Sequence, residues 1–247
     1  MSVVLAGLII IITHALETVT GFGCTVIAMP FMIQLFGLHT AKIILSTLAL
    51  LLAIYIVVTK YKKINFREFG IIILFTSLGM PLGLYFFKAF DPFWLKNCLA
   101  IFILISSVIQ LKMVFFTKTK IEIPEKRKIL DFFYFLLLIC GGIIHGAFAS
   151  GGPLIVLYAA RKLNDKGEFR ATLCLIWTTL NSILLITYIR GKELTQTTSY
   201  HILYLVPFLV AGIILGELVH NKVNTLTFKK IVFSVLFLVG VIMLIMQ

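Results

Sequence analysis

The sequence predicts an all-α polytopic membrane protein built from two inverted repeats of four segments each, the first segment of each repeat broken or re-entrant. Three observations predict it. Hydrophobic residues fill 60% of the 247 positions and charged residues only 13%, with a mean hydropathy of +1.08, which leaves too little polar surface for a water-facing shell. Apolar runs alternate with short charged connections along the whole chain. The first and fifth of these runs are interrupted by glycine and other small residues.

Taken in order, the apolar segments are 3–37, 41–59, 69–87, 93–116, 129–160, 172–189, 201–219 and 228–246. The run 3–37 is too long for one crossing, and Thr20-Gly21-Phe22-Gly23-Cys24-Thr25 breaks it. The next three are of spanning length. Residues 117–128 form the most polar connection and divide the chain into a first membrane repeat (1–116), a basic cytoplasmic linker (117–128) and a second membrane repeat (129–247). The run 129–160 is too long for one crossing and too short for two. It is broken at His145-Gly146-Ala147-Phe148-Ala149-Ser150-Gly151-Gly152-Pro153, and three spanning segments follow. A shift of about 127 positions lays one break over the other, with small residues leading into an aliphatic run in both.

Charge placement sets the expected topology. If both broken segments cross once, Lys and Arg divide about 12 to 10 between the two faces. If both turn back as hairpins, the division is about 17 to 5, and the richer face is cytoplasmic by the positive-inside rule. Each half then holds three crossings, so the halves are inverted and both termini are extracytoplasmic. The 22 Lys and Arg against 10 Asp and Glu thus mark topology and contacts with the lipid bilayer rather than nucleic acid. The N-terminus has no Lys or Arg before its apolar run, so the first segment is expected to be retained. Cys24, Cys98, Cys140 and Cys174 show no CxxC spacing and read as packing residues, with no metal or cofactor implied.

Backbone irregularity at membrane depth is tolerated where it lines a cavity. Helices restarting near Thr25 and Gly152 would aim free N–H groups, at the positive end of a helix, toward an anion. Gly21, Gly23, Cys24, Thr25, Ser150, Gly151, Gly152 and Pro153 are therefore candidate substrate contacts; the alternative is close helix packing by small residues. His14 and Glu17 share one helix face and are candidates for proton coupling, Glu17 being an intramembrane carboxylate or else a wetted helix end. His145 is suited to hydrogen-bond an anion or simply to pack. In the sixth segment, among Arg170, Thr172, Trp177, Thr178 and Asn181, the pair Thr178 and Asn181 share a face and would offer donors to oxyanions or bond between helices.

Gly21-Phe22-Gly23 with Ile27-Ala28-Met29-Pro30, and Ser150-Gly151-Gly152-Pro153-Leu154-Ile155-Val156 in the second half, resemble the paired signatures of the TauE/SafE sulfite-exporter family. Ala171-Thr172 ahead of the Asn181 helix resembles the family's following segment. Cys24-Thr25 and Ser150 stand where the family usually carries glycine, and Leu157 where it often has a second proline. The resemblance implies a secondary transporter of a small anion, such as sulfite or a sulfonate, in the bacterial inner membrane. Alternatives from other classes are an anion channel and a membrane-embedded enzyme using Ser150 and His145. A homo-oligomer is left open.

Overall fold

The computed structural model describes residues 2–116, 128–163 and 165–220, with Ser234, Phe237, Leu238 and Val241 of the last segment. The linker residues 117–127 and most of the eighth segment, with Lys222, Lys229 and Lys230, lie outside the described residues. The described chain is all-helical: α1 (Ser2–Thr20), α2 (Cys24–Phe36), α3 (Leu38–Lys60), a 3-10 turn (Tyr61–Lys63), α4 (Phe66–Ala89), α5 (Pro92–Phe116), α6 (Lys128–Phe148), α7 (Gly152–Lys162), α8 (Lys166–Arg190) and α9 (Gln196–His220). Six helical stretches, those of α1, α3, α4, α5, α8 and α9, are long and apolar enough to cross a membrane. Leu74, Leu78, Ile214 and Leu218 are exposed, as suits an outer face turned to lipid.

Helix α8 begins six residues before the apolar run that marks it in the sequence, because Asp165 accepts the Glu168 N–H at 2.8 Å and caps a charged first turn. Asn65 does the same for α4, accepting from Glu68 at 3.0 Å. An Asx cap followed three residues later by Glu outweighs local hydropathy in setting a helix start.

Cross-links define two ends of the bundle. At one, Asn65 at the head of α4 donates to Glu168 at the head of α8, and Tyr158 near the end of α7 donates to Glu68. At the other, His39 of α3 and Lys88 of α4 meet Glu193, just beyond α8. Helix α6 runs parallel to α4, since Gly79 lies against Ile139 and Ile143 while Gly83 lies against Ile143 and Ala147. Helix α7 then doubles back: Ile155 lies beside Gly141, and Tyr158 and Arg161 both reach the ring of Tyr134. Likewise α1 runs parallel to α9, with Gly212 and Gly216 against Ile11, Ala15 and Thr18. Helix α2 returns to the starting end, where Phe36 meets His201 at 4.8 Å.

Several helix pairs of one half have counterparts in the other, although α2 packs on α3 far more closely than α7 does on α8. The pairs α1·α9 and α4·α6 exchange when the halves are swapped, as do α3·α9 and α4·α8, while α3·α8 maps onto itself. The shared register is 128 positions rather than about 127: α1 and α6 end at Thr20 and Phe148, α2 and α7 start at Cys24 and Gly152, and α3 and α8 start at Leu38 and Lys166.

Candidate functional site

The site forms where the two hairpin tips meet α3 and α8. In the first tip Gly21 (φ +83) and Gly23 (φ +108) take left-handed conformations, which a residue without a Cβ adopts at little cost. A Cβ on Gly21 would also approach the Arg170 Cα to 2.9 Å. Trp177 Nε1 donates to the Gly21 carbonyl at 2.8 Å and ties the tip to α8. The Cys24 N–H at the start of α2 donates to Glu17 Oε2 at 2.9 Å. The positive end of α2 thus already holds a carboxylate of the chain itself.

The second tip reaches the same shape with other residues. Ala149, in the register position of Gly21, is left-handed at φ 53 despite its Cβ. Gly151 has an ordinary φ of -69; it is glycine for space, because a Cβ would strike the Gly141 carbonyl. Pro153 lies in the first turn of α7, where its missing N–H is no loss. Gly152 has the Trp177 ring, at 3.8 Å, as its nearest neighbour for an added Cβ.

Between the tips is a small cavity. Glu17, Gly23 and Thr25 line it from the first hairpin, and His145, Ser150 and Gly152 from the second. Ala49 of α3 and Trp177 and Asn181 of α8 complete the wall. Glu17 and His145 stand 128 positions apart, as do Ala49 and Trp177, so the cavity lies where the two halves exchange places. The His145 ring stacks on Trp177, centroids 5.8 Å apart. Both its nitrogens and Asn181 Oδ1 are buried without a hydrogen-bond partner among the described residues. Buried polar groups without partners are rare in folded proteins and imply a ligand or water to satisfy them. Ser150 Oγ donates to the Phe148 carbonyl at 3.0 Å rather than to His145. A larger hollow between α4, α5 and α6 has an entirely apolar lining that includes Phe90, Trp94 and Phe148, and offers a polar solute nothing.

Of the residues singled out in the sequence, Glu17, Gly23, Thr25, His145, Ser150, Gly152 and Asn181 share this cavity. Gly21, Cys24, Gly151 and Pro153 frame the tips. His14 and Thr178 do not line it: His14 Nδ1 lies 3.0 Å from the Ile10 carbonyl, and Thr178 donates to the Cys174 carbonyl at 2.8 Å. Sequence reasoning missed Lys42. It is 1% exposed, donates at 2.7 Å to the Gly146 carbonyl in the last turn of α6, and lies 3.7 Å from the Phe87 ring centroid. Its counterpart 128 positions on is Arg170, which is ion-paired with Glu217 of α9. A lysine five residues into an apolar helix, in register with an arginine, is the signal that would have found it.

A model of the sulfite exporter TauE/SafE family matches residues 5–243. The chain belongs to the TauE/SafE family. Its membership makes it a multi-pass membrane transporter with an anionic substrate. No curated protein and no solved structure matches the chain. Among the described residues, no three His, Cys, Asp or Glu side chains gather into a set able to hold a metal ion. Outside the spanning segments of this TauE/SafE protein, partial burial works to raise the Glu193 carboxyl. The hydrogen bond and charge of Lys88, with His39 beside it, prevail and hold it below the ordinary carboxylate value.

Proposed function

We propose that the chain is a secondary permease of small sulfur-containing or organic anions, sulfite and sulfonates among them, which bind between the two hairpin tips. The observation that carries this reading is the His145 ring, buried with both nitrogens unpartnered on the wall of a cavity that also receives the Asn181 side chain and the start of α7. A tetrahedral or planar oxyanion there would take hydrogen bonds from His145, the Asn181 amide and backbone N–H groups of the first turn of α7. Opposite directions of α1 and α6, and of α2 and α7, support an inverted repeat, a transporter arrangement in which alternating access rocks one half against the other.

The end carrying Lys60, Lys62, Lys63, Arg67, Arg161 and Lys162 faces the cytoplasm of a bacterial inner membrane in this reading, and the His39–Glu193–Lys88 end faces outward. Glu17 and His14 are the groups through which proton movement would couple to the anion. Purified protein in proteoliposomes should carry sulfite or a sulfonate down an imposed gradient, with flux lost in His145→Leu and Asn181→Leu. Absence of flux for sulfite, thiosulfate, sulfonates and small carboxylates alike would sink the reading.

A further inference from the structure

We infer that Glu17 is a resident anion that makes the cavity select singly charged over doubly charged anions; the inference rests on the transport reading above. Two half-helices start at the cavity, and they are not equivalent. The α2 end is occupied, because the Cys24 N–H donates to Glu17 at 2.9 Å. Among the described residues the α7 end has no such carboxylate, since His145 stands in the register position of Glu17 and its ring nitrogens are unpartnered. Only one of the two positive ends is therefore left for a ligand.

The charge around that place is limited. Glu17 lines the cavity, and no Lys or Arg does among the described residues. Arg170 pairs with Glu217, and Lys42 stands behind the wall on the Gly146 carbonyl. An incoming monoanion meets one helix end, two polar side chains and one carboxylate across a space a few ångströms wide. A dianion feels twice the attraction of the helix end but also twice the repulsion of Glu17, whose full charge outweighs the partial charge of about half a unit at a helix end. Two unit charges held several ångströms apart at an effective dielectric near 20 repel enough to change affinity on the order of tenfold to a hundredfold.

Methanesulfonate and sulfate test this, because they share tetrahedral sulfur and size, differ by one unit of charge, and keep those charges across the working pH range. Trp94 and Trp177 are the two tryptophans, so in a Trp94→Phe background the fluorescence of Trp177, on the cavity wall, reports binding. The expected result is methanesulfonate binding at least tenfold tighter than sulfate. Glu17→Gln, which keeps an acceptor for the Cys24 N–H and removes the charge, should shrink that ratio tenfold or more through a gain for sulfate. Glu17→Asp should preserve it. Equal affinities in the protein with Glu17 intact, or an unchanged ratio in Glu17→Gln, overturn the inference while leaving the transport reading standing. Binding of neither anion, with no flux of any other, overturns both. Should Glu17→Gln fail to fold, the ratios in the unmodified protein and in Glu17→Asp still decide it.

Discussion

Gly152 is the position where blocking the site and damaging the fold come apart most cleanly. A Cβ there meets only the Trp177 ring at 3.8 Å, an ordinary contact, and the residue lies in the first turn of α7, facing the cavity. Gly152→Ala should raise stability slightly, by about 0.4–1 kcal/mol, through the smaller entropy of the unfolded chain. Gly152→Leu extends the side chain across the small cavity and shields the α7 N–H groups from the ligand. Loss of one hydrogen bond to a charged ligand costs about 1.5–3 kcal/mol, which corresponds to roughly tenfold to over a hundredfold in affinity. Thermal unfolding in detergent and sulfite flux in proteoliposomes measure the two effects separately. Gly142→Leu is the contrast, because its Cβ would strike the Thr76 carbonyl of α4, so that protein should lose its fold and its flux together. Flux at the unmodified level in a well-folded Gly152→Leu protein would refute the argument that the start of α7 faces the substrate.

Lys42→Met should leave thermal stability within about 1 kcal/mol, since the lost bond to Gly146 is offset by no longer burying an ammonium, yet weaken anion binding several-fold by removing a positive charge from behind His145; titration calorimetry checks it. Ala149→Gly should stabilise the protein by about 1 kcal/mol, the order of the cost of a Cβ in the left-handed region, as read by unfolding midpoint, with flux retained. For Glu193, whose folded value is depressed, the stabilisation is complete above the ordinary 4.5 and fades as pH falls through the lower folded value. Glu193→Gln should therefore flatten the acid side of the stability profile, with the difference from the parent protein constant at neutral pH. Because Lys88 is well exposed, that effect should shrink in high salt.

Much of the bundle is legible in the sequence because bilayer thickness sets segment length, and breaks in an apolar run have few physical causes. The charge asymmetry carries the hairpins too, since only turning back at both breaks gathers the Lys and Arg residues on one side. What local reading cannot reach is the difference between glycines. Gly79, Gly83, Gly142 and Gly146 form the close approach of α4 to α6, a small-residue packing role that the sequence offers equally for Gly21, Gly23, Gly151 and Gly152. Separating the two groups requires knowing what stands opposite each glycine, which for Gly21 and for the α4 and α6 glycines lies on a helix more than fifty residues away.

The same limit explains Lys42 and Glu17. Read locally, Lys42 is a helix-end cation and Glu17 an intramembrane acid near a break. Laid on the 128-position register, they become members of unequal pairs. Lys42 matches Arg170, but among the described residues only Arg170 of the two is ion-paired; Glu17 matches His145, but among the described residues only Glu17 of the two caps a half-helix. Perfectly matched halves would place two like anion sites face to face, where simultaneous occupation is opposed by repulsion. In the proposed reading, a carboxylate on one side and an unpartnered histidine on the other would remove that conflict and leave one site. The departures from symmetry, more than the symmetry itself, are therefore where the specificity of this transporter is to be sought.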